Sequence, residues 1–379
     1  MAPPKMISSD SHLIEHPTLW EERMPAALRD RGPRVVRTDD GKDWWYVDGK
    51  KTMSFLGIQA GRRFDNDPDK LVTAATFADV RPGAYDPKLF VKESEDDGVV
   101  GSVIYPTEGL VLFSVPDTEL CSASMRAYND YIAEFCSDDP RRLKGIAMIN
   151  VDDPPEAVAE LTRCRDLGLV GALMTVAPPP YAPYDHPMYG PLWAAAQDLE
   201  IPLSLHTATQ RADPRTGSGG VPDDVQQVPP TVFVLMDTDV RRSLANMIFS
   251  GVFERFPRLL VGTVEHELAW IPHLLQQLDY TYTQRPPRGD WYRYADRSAL
   301  PSDFFHRNVF CSFQEDAVGI RERALIGVHS LMWGSDYPHT ESTFPRSREV
   351  TAEILAGVPE HEQDMIVYSN AKRLYHFDV

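Results

Sequence analysis

The sequence has few cysteines and no long hydrophobic run. Its 379 residues include four cysteines, and these are widely spaced without a Cys-x-x-Cys pair, so neither a disulfide framework nor a zinc–thiolate site is expected. No segment approaches the ~20 consecutive apolar residues of a membrane span, and the N-terminus lacks the apolar stretch of a signal peptide. We therefore expect a cytoplasmic protein with no membrane-bound part.

Positive charge is also scarce. The chain has 38 Lys and Arg against 56 Asp and Glu, which gives a net charge of −18. This charge opposes contact with nucleic acids and with anionic membrane surfaces, so neither is expected as a partner. A content of 42% hydrophobic and 25% charged residues is that of a globular protein with a large core.

Short apolar runs alternate with longer amphipathic stretches along the chain. The amphipathic segment Pro155–Leu167 has apolar residues at helical spacing. The predicted strands are Met6–Ser9, Val99–Tyr105, Lys144–Asn150, Val170–Val176, Ile201–His206, Leu259–Glu265, Val309–Phe313 and Leu331–Ser335. Eight strands with helices between them favour an α/β fold, the (β/α)8 TIM barrel, and we expect residues 1–379 to form one such domain.

Two insertions interrupt this alternation. Residues 30–98 separate the first two predicted strands and contain Asp48-Gly49 between strand-like residues, which predicts a β-hairpin. Residues 207–231 follow the fifth strand and contain the glycine-rich stretch 216–220. Loops that follow barrel strands build the active-site face, so both insertions are candidate lids.

Ionisable residues stand at the carboxyl ends of several predicted strands. Asp10 and His12 are two positions apart, so a strand directs both side chains to the same side. His206 ends the fifth strand and Asp336 follows the eighth. Nitrogen and carboxylate ligands without thiolates suit Zn²⁺, Mn²⁺ or Fe²⁺. We predict that these four residues hold one divalent ion, with Zn²⁺ as the first choice.

The pair Glu265-His266 ends the sixth predicted strand. His266 is a candidate proton carrier because the unperturbed pKa of histidine lies near neutrality. Glu265 is a candidate substrate contact, and the alternative is an acidic residue that favours the first turn of a following helix. Asp336 is also a catalytic candidate, and its alternative role is a helix N-cap.

Four more residues are candidates for substrate binding. Arg62 and Arg63 in the first insertion, and Arg211 in the second, have side chains that bind a carboxylate through paired hydrogen bonds. Solvated surface arginine is the alternative for each of them. His339 follows Asp336 in a loop and is a candidate contact to substrate or to structure.

Several motifs together resemble a known family. They are Asp10-Ser11-His12, Leu205-His206, Ser250–Pro257 running into Val264-Glu265-His266, Trp333–His339 and Asn370–Tyr375. Their order and spacing resemble the amidohydrolase superfamily, in the branch of the aminocarboxymuconate-semialdehyde, γ-resorcylate and 5-carboxyvanillate decarboxylases. The resemblance spans nearly the whole chain. It implies a metal site at Asp10, His12, His206 and Asp336, an acid or base at His266, and a homodimer.

Two features depart from the superfamily's pattern. Its first motif is commonly His-x-His, whereas this chain has Asp10 at the first position, which leaves the identity of the metal open. The fourth predicted strand, Val170–Val176, has no lysine that carbamylation would turn into a bridging ligand. A site for one ion follows, and not for two.

Three functions are compatible with these residues. The first hypothesis is nonoxidative decarboxylation of an aromatic or unsaturated carboxylic acid, with the ion stabilising charge and His266 supplying the proton. The alternative is hydrolysis of an amide or lactone, with Asp336 or His266 as base. A barrel that binds without catalysis is the third. The expected partner is a small molecule, a carboxylic acid under the first hypothesis.

Overall fold

Eight parallel strands form a nearly closed barrel, in a computed structural model that describes residues 5–55, 60–219, 228–288 and 291–379. The strands within these ranges are β1 (Met6–His12), β2 (Arg34–Arg37), β3 (Asp43–Val47), β4 (Lys50–Ser54), β5 (Val99–Tyr105), β6 (Leu143–Met148), β7 (Gly171–Met174), β8 (Leu203–His206), β9 (Val261–Val264), β10 (Val309–Phe313) and β11 (Leu331–Trp333). The barrel order is β1-β5-β6-β7-β8-β9-β10-β11. The predicted α/β barrel and its eight strands are confirmed, and β1 runs on to include both Asp10 and His12.

The barrel closes where the segment after β11 meets β1. The backbone N–H of Asp336 donates to the carbonyl of Asp10 at 2.8 Å, and the N–H of His12 donates to the carbonyl of Tyr337 at 2.7 Å. Gly334 permits this approach, since a Cβ there would lie 2.5 Å from the Cβ of Asp10. The first and last predicted metal ligands are therefore joined through their backbones.

Helices surround the barrel on its outer side. Those in the described ranges are α1 (Leu19–Arg23), α2 (Pro87–Asp97), α3 (Thr118–Cys136), α4 (Pro154–Asp166), α5 (Gly190–Asp198), α6 (Pro230–Val234), α7 (Asp237–Phe249), α8 (Val252–Arg255), α9 (Ile271–Gln284), α10 (Pro301–Asn308), α11 (Ala317–Arg321), α12 (Arg323–Ile326), α13 (Ser347–Ile354), α14 (Glu360–Asp364) and α15 (Asn370–Leu374). Helix α4 confirms the predicted amphipathic segment. None of the described helices has the length and apolar character needed to cross a membrane. All four cysteines are buried and free.

The first insertion forms a three-stranded antiparallel sheet in the order β2-β3-β4. Asp48 (φ 50°) and Gly49 (φ 76°) both adopt left-handed backbone conformations between β3 and β4. Two such residues form the turn whose twist matches a hairpin, so the predicted hairpin is confirmed and has a third strand. Its Trp45 is buried edge-on against Trp20, with ring centroids 5.1 Å apart, which packs the insertion onto helix α1.

The second insertion lies partly outside the described residues. Its segment Thr216–Gly219 is exposed, whereas Gly220 and the seven residues after it belong to the part that is not described. The prediction that this insertion is a lid stays a prediction.

Candidate metal centre

Side chains from four strand ends converge at the carboxyl-terminal face of the barrel. His12 Nε2 lies 3.4 Å from Asp10 Oδ1 and also 3.4 Å from Asp336 Oδ1. His206 Nε2 lies 3.7 Å from Asp10 Oδ1 and 3.2 Å from Glu265 Oε2. Parallel strands of a barrel all end at one face, which explains why residues up to 326 positions apart meet here.

These atoms form two overlapping groups, each of a size suited to a metal ion. Asp10, His12, His206 and Glu265 offer ligand atoms that all lie within 4.8 Å of one another, and so do His12, Asp336 and His339. His12 belongs to both. The four predicted ligands therefore meet around His12, and the structure adds Glu265 and His339 to them.

The donor atoms themselves are buried and have no hydrogen-bond partner. This holds for Asp10 Oδ1, His12 Nε2 and His206 Nε2, whereas Asp336 Oδ1 lies 2.8 Å from His339 Nδ1. Buried polar atoms are nearly always satisfied in folded proteins, because an unpaired one costs about 1–3 kcal/mol. These three atoms and Asp336 Oδ1 face one another and fit a divalent cation, which would satisfy all of them together.

Both histidines are oriented by their other ring nitrogen. His12 Nδ1 lies 2.7 Å from the carbonyl oxygen of Pro106, and His206 Nδ1 lies 3.0 Å from that of Thr207. A carbonyl only accepts, so each Nδ1 carries a proton, and each Nε2, which points into the cluster, is the nitrogen left for a metal ion. Metal-binding histidines are commonly held in this way.

Asp336 is supported from the opposite side by His339. His339 Nδ1 lies 2.8 Å from Asp336 Oδ1, and its Nε2 lies 2.9 Å from the hydroxyl oxygen of Thr107. The backbone N–H groups of residues 107–109 all donate to the buried carboxylate of Glu15, which fixes this loop. The predicted contact residue His339 thus lies in the site, next to a proposed ligand.

The charges in the cluster shift one another's pKa values. Burial alone would raise the pKa of Asp10, but contacts with His12 and His206 hold it below the usual range. Burial opposes protonation of His206, yet Glu265 and Asp10 raise its pKa to about 9. Burial and the charge of Asp336 raise the pKa of Glu265 well above its usual value. Without a metal ion, protons therefore reduce the negative charge of this site.

Two of the acidic residues have strained backbones. Glu265 (φ 60°) and Asp336 (φ 58°) both adopt the left-handed region, which residues with a side chain seldom occupy. Such conformations cluster at functional sites, where the surrounding structure holds them in place. Helix α9 begins only at Ile271 and α13 only at Ser347, so neither the helix-start nor the N-cap alternative applies to these acids.

His266 is buried beside the cluster, and neither of its ring nitrogens has a hydrogen-bond partner. Burial, aided by the charge of His206, lowers the pKa of His266 to about 3. The side chain is therefore an uncharged imidazole at neutral pH. The indole N–H of Trp270 donates to the carbonyl of His266 at 2.8 Å and helps to fix its backbone.

The three candidate arginines lie in different surroundings. Arg63 donates to the carbonyl of Ser342 at 2.7 Å and pairs with Glu315, which attaches the first insertion to the loops after β10 and β11. Arg62 beside it is exposed. Arg211 is buried, with its donors directed at Asp152 and at two backbone carbonyls. Its hydrogen bonds are used within the protein, so we leave Arg211 out of the proposed substrate site.

Sequence reasoning missed Thr107 and the carbonyl of Pro106. Both follow β5 and lie at the same face as the predicted ligands. Their position after a strand was a usable signal. A hydroxyl or a carbonyl is too common in proteins, however, for that position alone to select these two groups.

Known proteins resemble this chain in sequence. The amidohydrolase family matches residues 113–377, more than half of the chain. A gamma-resorcylate decarboxylase from Rhizobium radiobacter is 27% identical over 278 residues, which cover 70% of this chain and 80% of that protein. The chain belongs to the amidohydrolase superfamily, and it is an enzyme.

Solved structures share the fold. An amidohydrolase from Mycobacterium avium subsp. paratuberculosis K-10 superposes with a TM-score of 0.79 at 20% identity, covering 98% of this chain and 97% of that one. A dihydroxybenzoic acid decarboxylase from Polaromonas sp. JS666, solved with manganese and the inhibitor 2-nitroresorcinol, gives a TM-score of 0.63 at 17% identity, with 99% and 98% covered. The barrel extends over essentially the whole length of each.

Proposed function

We propose that this enzyme removes the carboxyl group from an aromatic or unsaturated carboxylic acid without oxidation, using one divalent ion. The observation that carries the proposal is the cluster of buried ligand atoms on Asp10, His12, His206 and Asp336, of which the first three have no hydrogen-bond partner. The decarboxylase activity named for the relative from Rhizobium radiobacter supports it.

Asp10, His12, His206 and Asp336 would hold the ion. When bound, the ion supplies positive charge that attracts the substrate carboxylate and a neighbouring oxygen and stabilises negative charge as the ring loses aromaticity. The donor set mixes two imidazoles with carboxylates, which either Zn²⁺ or Mn²⁺ accepts. We favour Mn²⁺ because Glu265 makes the set richer in oxygen, and because the decarboxylase from Polaromonas was solved with manganese.

His266 is the proposed proton carrier. In the reaction the bond between the ring carbon and the carboxyl group breaks, CO₂ leaves, and the electron pair stays on the ring carbon. That carbon takes up one proton, which His266 would relay from water, leaving hydroxide to the solvent. The low pKa of His266 means that its imidazole releases an acquired proton readily. Arg62, exposed next to the anchored Arg63, remains the candidate to attract the substrate's negative charge.

Hydrolysis of an amide or lactone is the second candidate. The observation that favours it is the 2.8 Å contact between His339 and Asp336, since a carboxylate and an imidazole in contact suit a general base. In this case Asp336 or His266 would accept a proton from the attacking water.

Metal analysis together with a substrate panel tests the proposal. Elemental analysis of purified protein is expected to find about one Mn²⁺ or Zn²⁺ per chain. Incubation with 2,6-dihydroxybenzoate, 5-carboxyvanillate and salicylate is expected to release CO₂ from at least one of them. Protein without a divalent ion that still turns over substrate would contradict the metal assignment. Turnover of amides or lactones alone would decide for hydrolysis.

A further inference from the structure

Glu265 differs from the predicted ligands in how far its side chain reaches toward solvent. Its side chain is 27% exposed, whereas His206 is fully buried and Asp336 is 2% exposed. Its Oε2 nevertheless lies 3.2 Å from His206 Nε2, inside the ligand cluster. Glu265 therefore belongs to the ligand cluster and is also partly exposed to solvent.

The negative charges around Glu265 favour the binding of a cation beside it. Within the described ranges, His206 is the one charged group that pairs with this carboxylate. A carboxylate oxygen of Asp10 lies within 4.8 Å of that of Glu265 and repels its negative charge. Three carboxylates facing two histidines are stable only when positive charge offsets them.

The number of charges limits what can bind beside them. Asp10, Glu265 and Asp336 bring three negative charges, so a divalent ion among them leaves a net charge of about −1. A substrate carboxylate that joined this set would make the net charge −2, which is unfavourable in a buried site. Exchange of one protein carboxylate for that of the substrate keeps both the charge and the number of oxygen donors constant.

Glu265 is the carboxylate best placed for such an exchange. Asp10 is held in β1, and Asp336 is held by the backbone bond to Asp10 and by His339. Glu265 follows the end of β9, and its side chain is the most exposed of the three. It can withdraw its carboxylate without disturbing the closure of the barrel.

We propose that Glu265 is an additional, exchangeable ligand of the divalent ion, bound through Oε2 in the absence of substrate and replaced by the substrate carboxylate. This inference rests on the proposed divalent-ion site and extends it to how the substrate is admitted. It assigns Glu265 to both the metal and the substrate, one after the other.

The first arm of the test measures Mn²⁺ affinity by competition with a chelator. Glu265→Gln keeps the shape of the side chain and removes its charge, and we expect about tenfold weaker binding of Mn²⁺. Glu265→Asp keeps the charge but withdraws the carboxylate by one methylene, and we expect the same loss. If Glu265→Asp binds Mn²⁺ as tightly as wild type, charge alone is responsible and coordination by Glu265 is wrong.

Glu267→Gln is the matched control. Glu267 lies two positions away, is also half-buried and also has a positive φ of 53°. Its carboxylate accepts backbone N–H groups of Gln314 and Glu315 and lies outside the ligand cluster. We expect unchanged Mn²⁺ affinity in this variant, and thermal unfolding confirms that each variant is folded.

The second arm measures salicylate affinity of the Mn²⁺-loaded proteins by calorimetry. If salicylate must displace Glu265, removal of the Glu265 ligand tightens salicylate binding by the factor lost in Mn²⁺ affinity, about tenfold, because both effects belong to one thermodynamic cycle. Weaker Mn²⁺ binding with unchanged salicylate affinity would make Glu265 a permanent ligand and overturn the exchange. If wild type and the Glu265 variants all bind salicylate with the same weak affinity, the proposed exchange is also wrong.

Failure of this inference is distinguishable from failure of the proposed function. If wild type binds about one Mn²⁺ and the Glu265 variants match it, only the role of Glu265 is wrong. If wild type binds no divalent ion, the proposed metal site is wrong and the inference falls with it.

Discussion

Two groups of buried charged residues in this protein differ in whether their hydrogen bonds are satisfied. Arg211 and Asp152 form an ion pair at 2.6 Å, and the guanidinium also donates to the carbonyls of Phe113 and Val115. The ligand atoms of Asp10, His12 and His206 are also buried, yet they have no hydrogen-bond partner. The hydrogen bonds of Arg211 and Asp152 are all made within the protein, whereas the ligand atoms around His12 need a bound ligand to satisfy them.

This difference in hydrogen bonding distinguishes buried charged residues that stabilise the fold from those that bind a ligand. A buried pair with all its hydrogen bonds made fixes the loops it connects, and it requires no ligand. Buried donors left without partners reduce stability and are retained where a ligand completes them. Burial alone would have placed Arg211 and His12 in the same class, and only the hydrogen bonds distinguish them.

The largest expected effect on stability comes from breaking the ion pair between Arg211 and Asp152. Arg211→Met leaves Asp152 buried without its cation, and this is expected to lower the free energy of unfolding by about 3–5 kcal/mol. Urea denaturation measures it. The folded variant should keep its Mn²⁺ affinity, and loss of metal binding with unchanged stability would remove the distinction between the two groups.

In the metal-ligand cluster around His12, a substitution is expected to affect metal binding and activity more than stability. His12→Ala removes the residue shared by both ligand groups, and we expect loss of the bound ion and at least a ~100-fold fall in kcat/KM, equivalent to about 2.7 kcal/mol. In metal-free protein the same change should cost less unfolding free energy than Arg211→Met. Retention of a full equivalent of metal would contradict the ligand assignment.

A smaller effect tests a buried carboxylate that has only neutral hydrogen-bond partners. Asp97 accepts from the backbone N–H and the hydroxyl of Ser347, and burial raises its pKa to about 6. The folded state therefore favours the protonated form, so stability is greatest below pH 4 and falls as pH rises through 6, by roughly 2–3 kcal/mol.

Asp97→Asn, which resembles the protonated form, checks this dependence by urea denaturation from pH 4 to pH 8. The variant is expected to gain stability relative to wild type as pH rises, and the two should be similar near pH 4. A difference that does not change with pH would exclude Asp97 as the titrating group.

Most of the fold was predictable because it follows from local patterns. The eight strands showed as apolar runs, and Asp48-Gly49 specified a hairpin turn. The strand-end positions of Asp10, His12 and His206 were equally visible, since every parallel strand of a barrel ends at the same face. The positions of these groups depend on chain direction and side-chain period alone.

The remaining parts of the site depend on contacts between distant segments. Nothing near Arg211 in the chain indicates its pairing with Asp152, 59 residues earlier. The contact between His339 and Thr107 joins loops 232 residues apart. Glu265 enters the ligand cluster because a left-handed backbone conformation follows β9, where a helix start was one of the expected alternatives.

The sequence by itself determined the barrel, the face on which its chemistry lies and the residue types that meet there. Those properties follow from periodicity and strand direction, which are local. Only the tertiary structure decided which buried charges are satisfied, that His12 is shared by two ligand groups, and that Glu265 lies in the cluster with a partly exposed side chain. These are questions of distances within a few ångströms, and packing of the whole chain sets such distances.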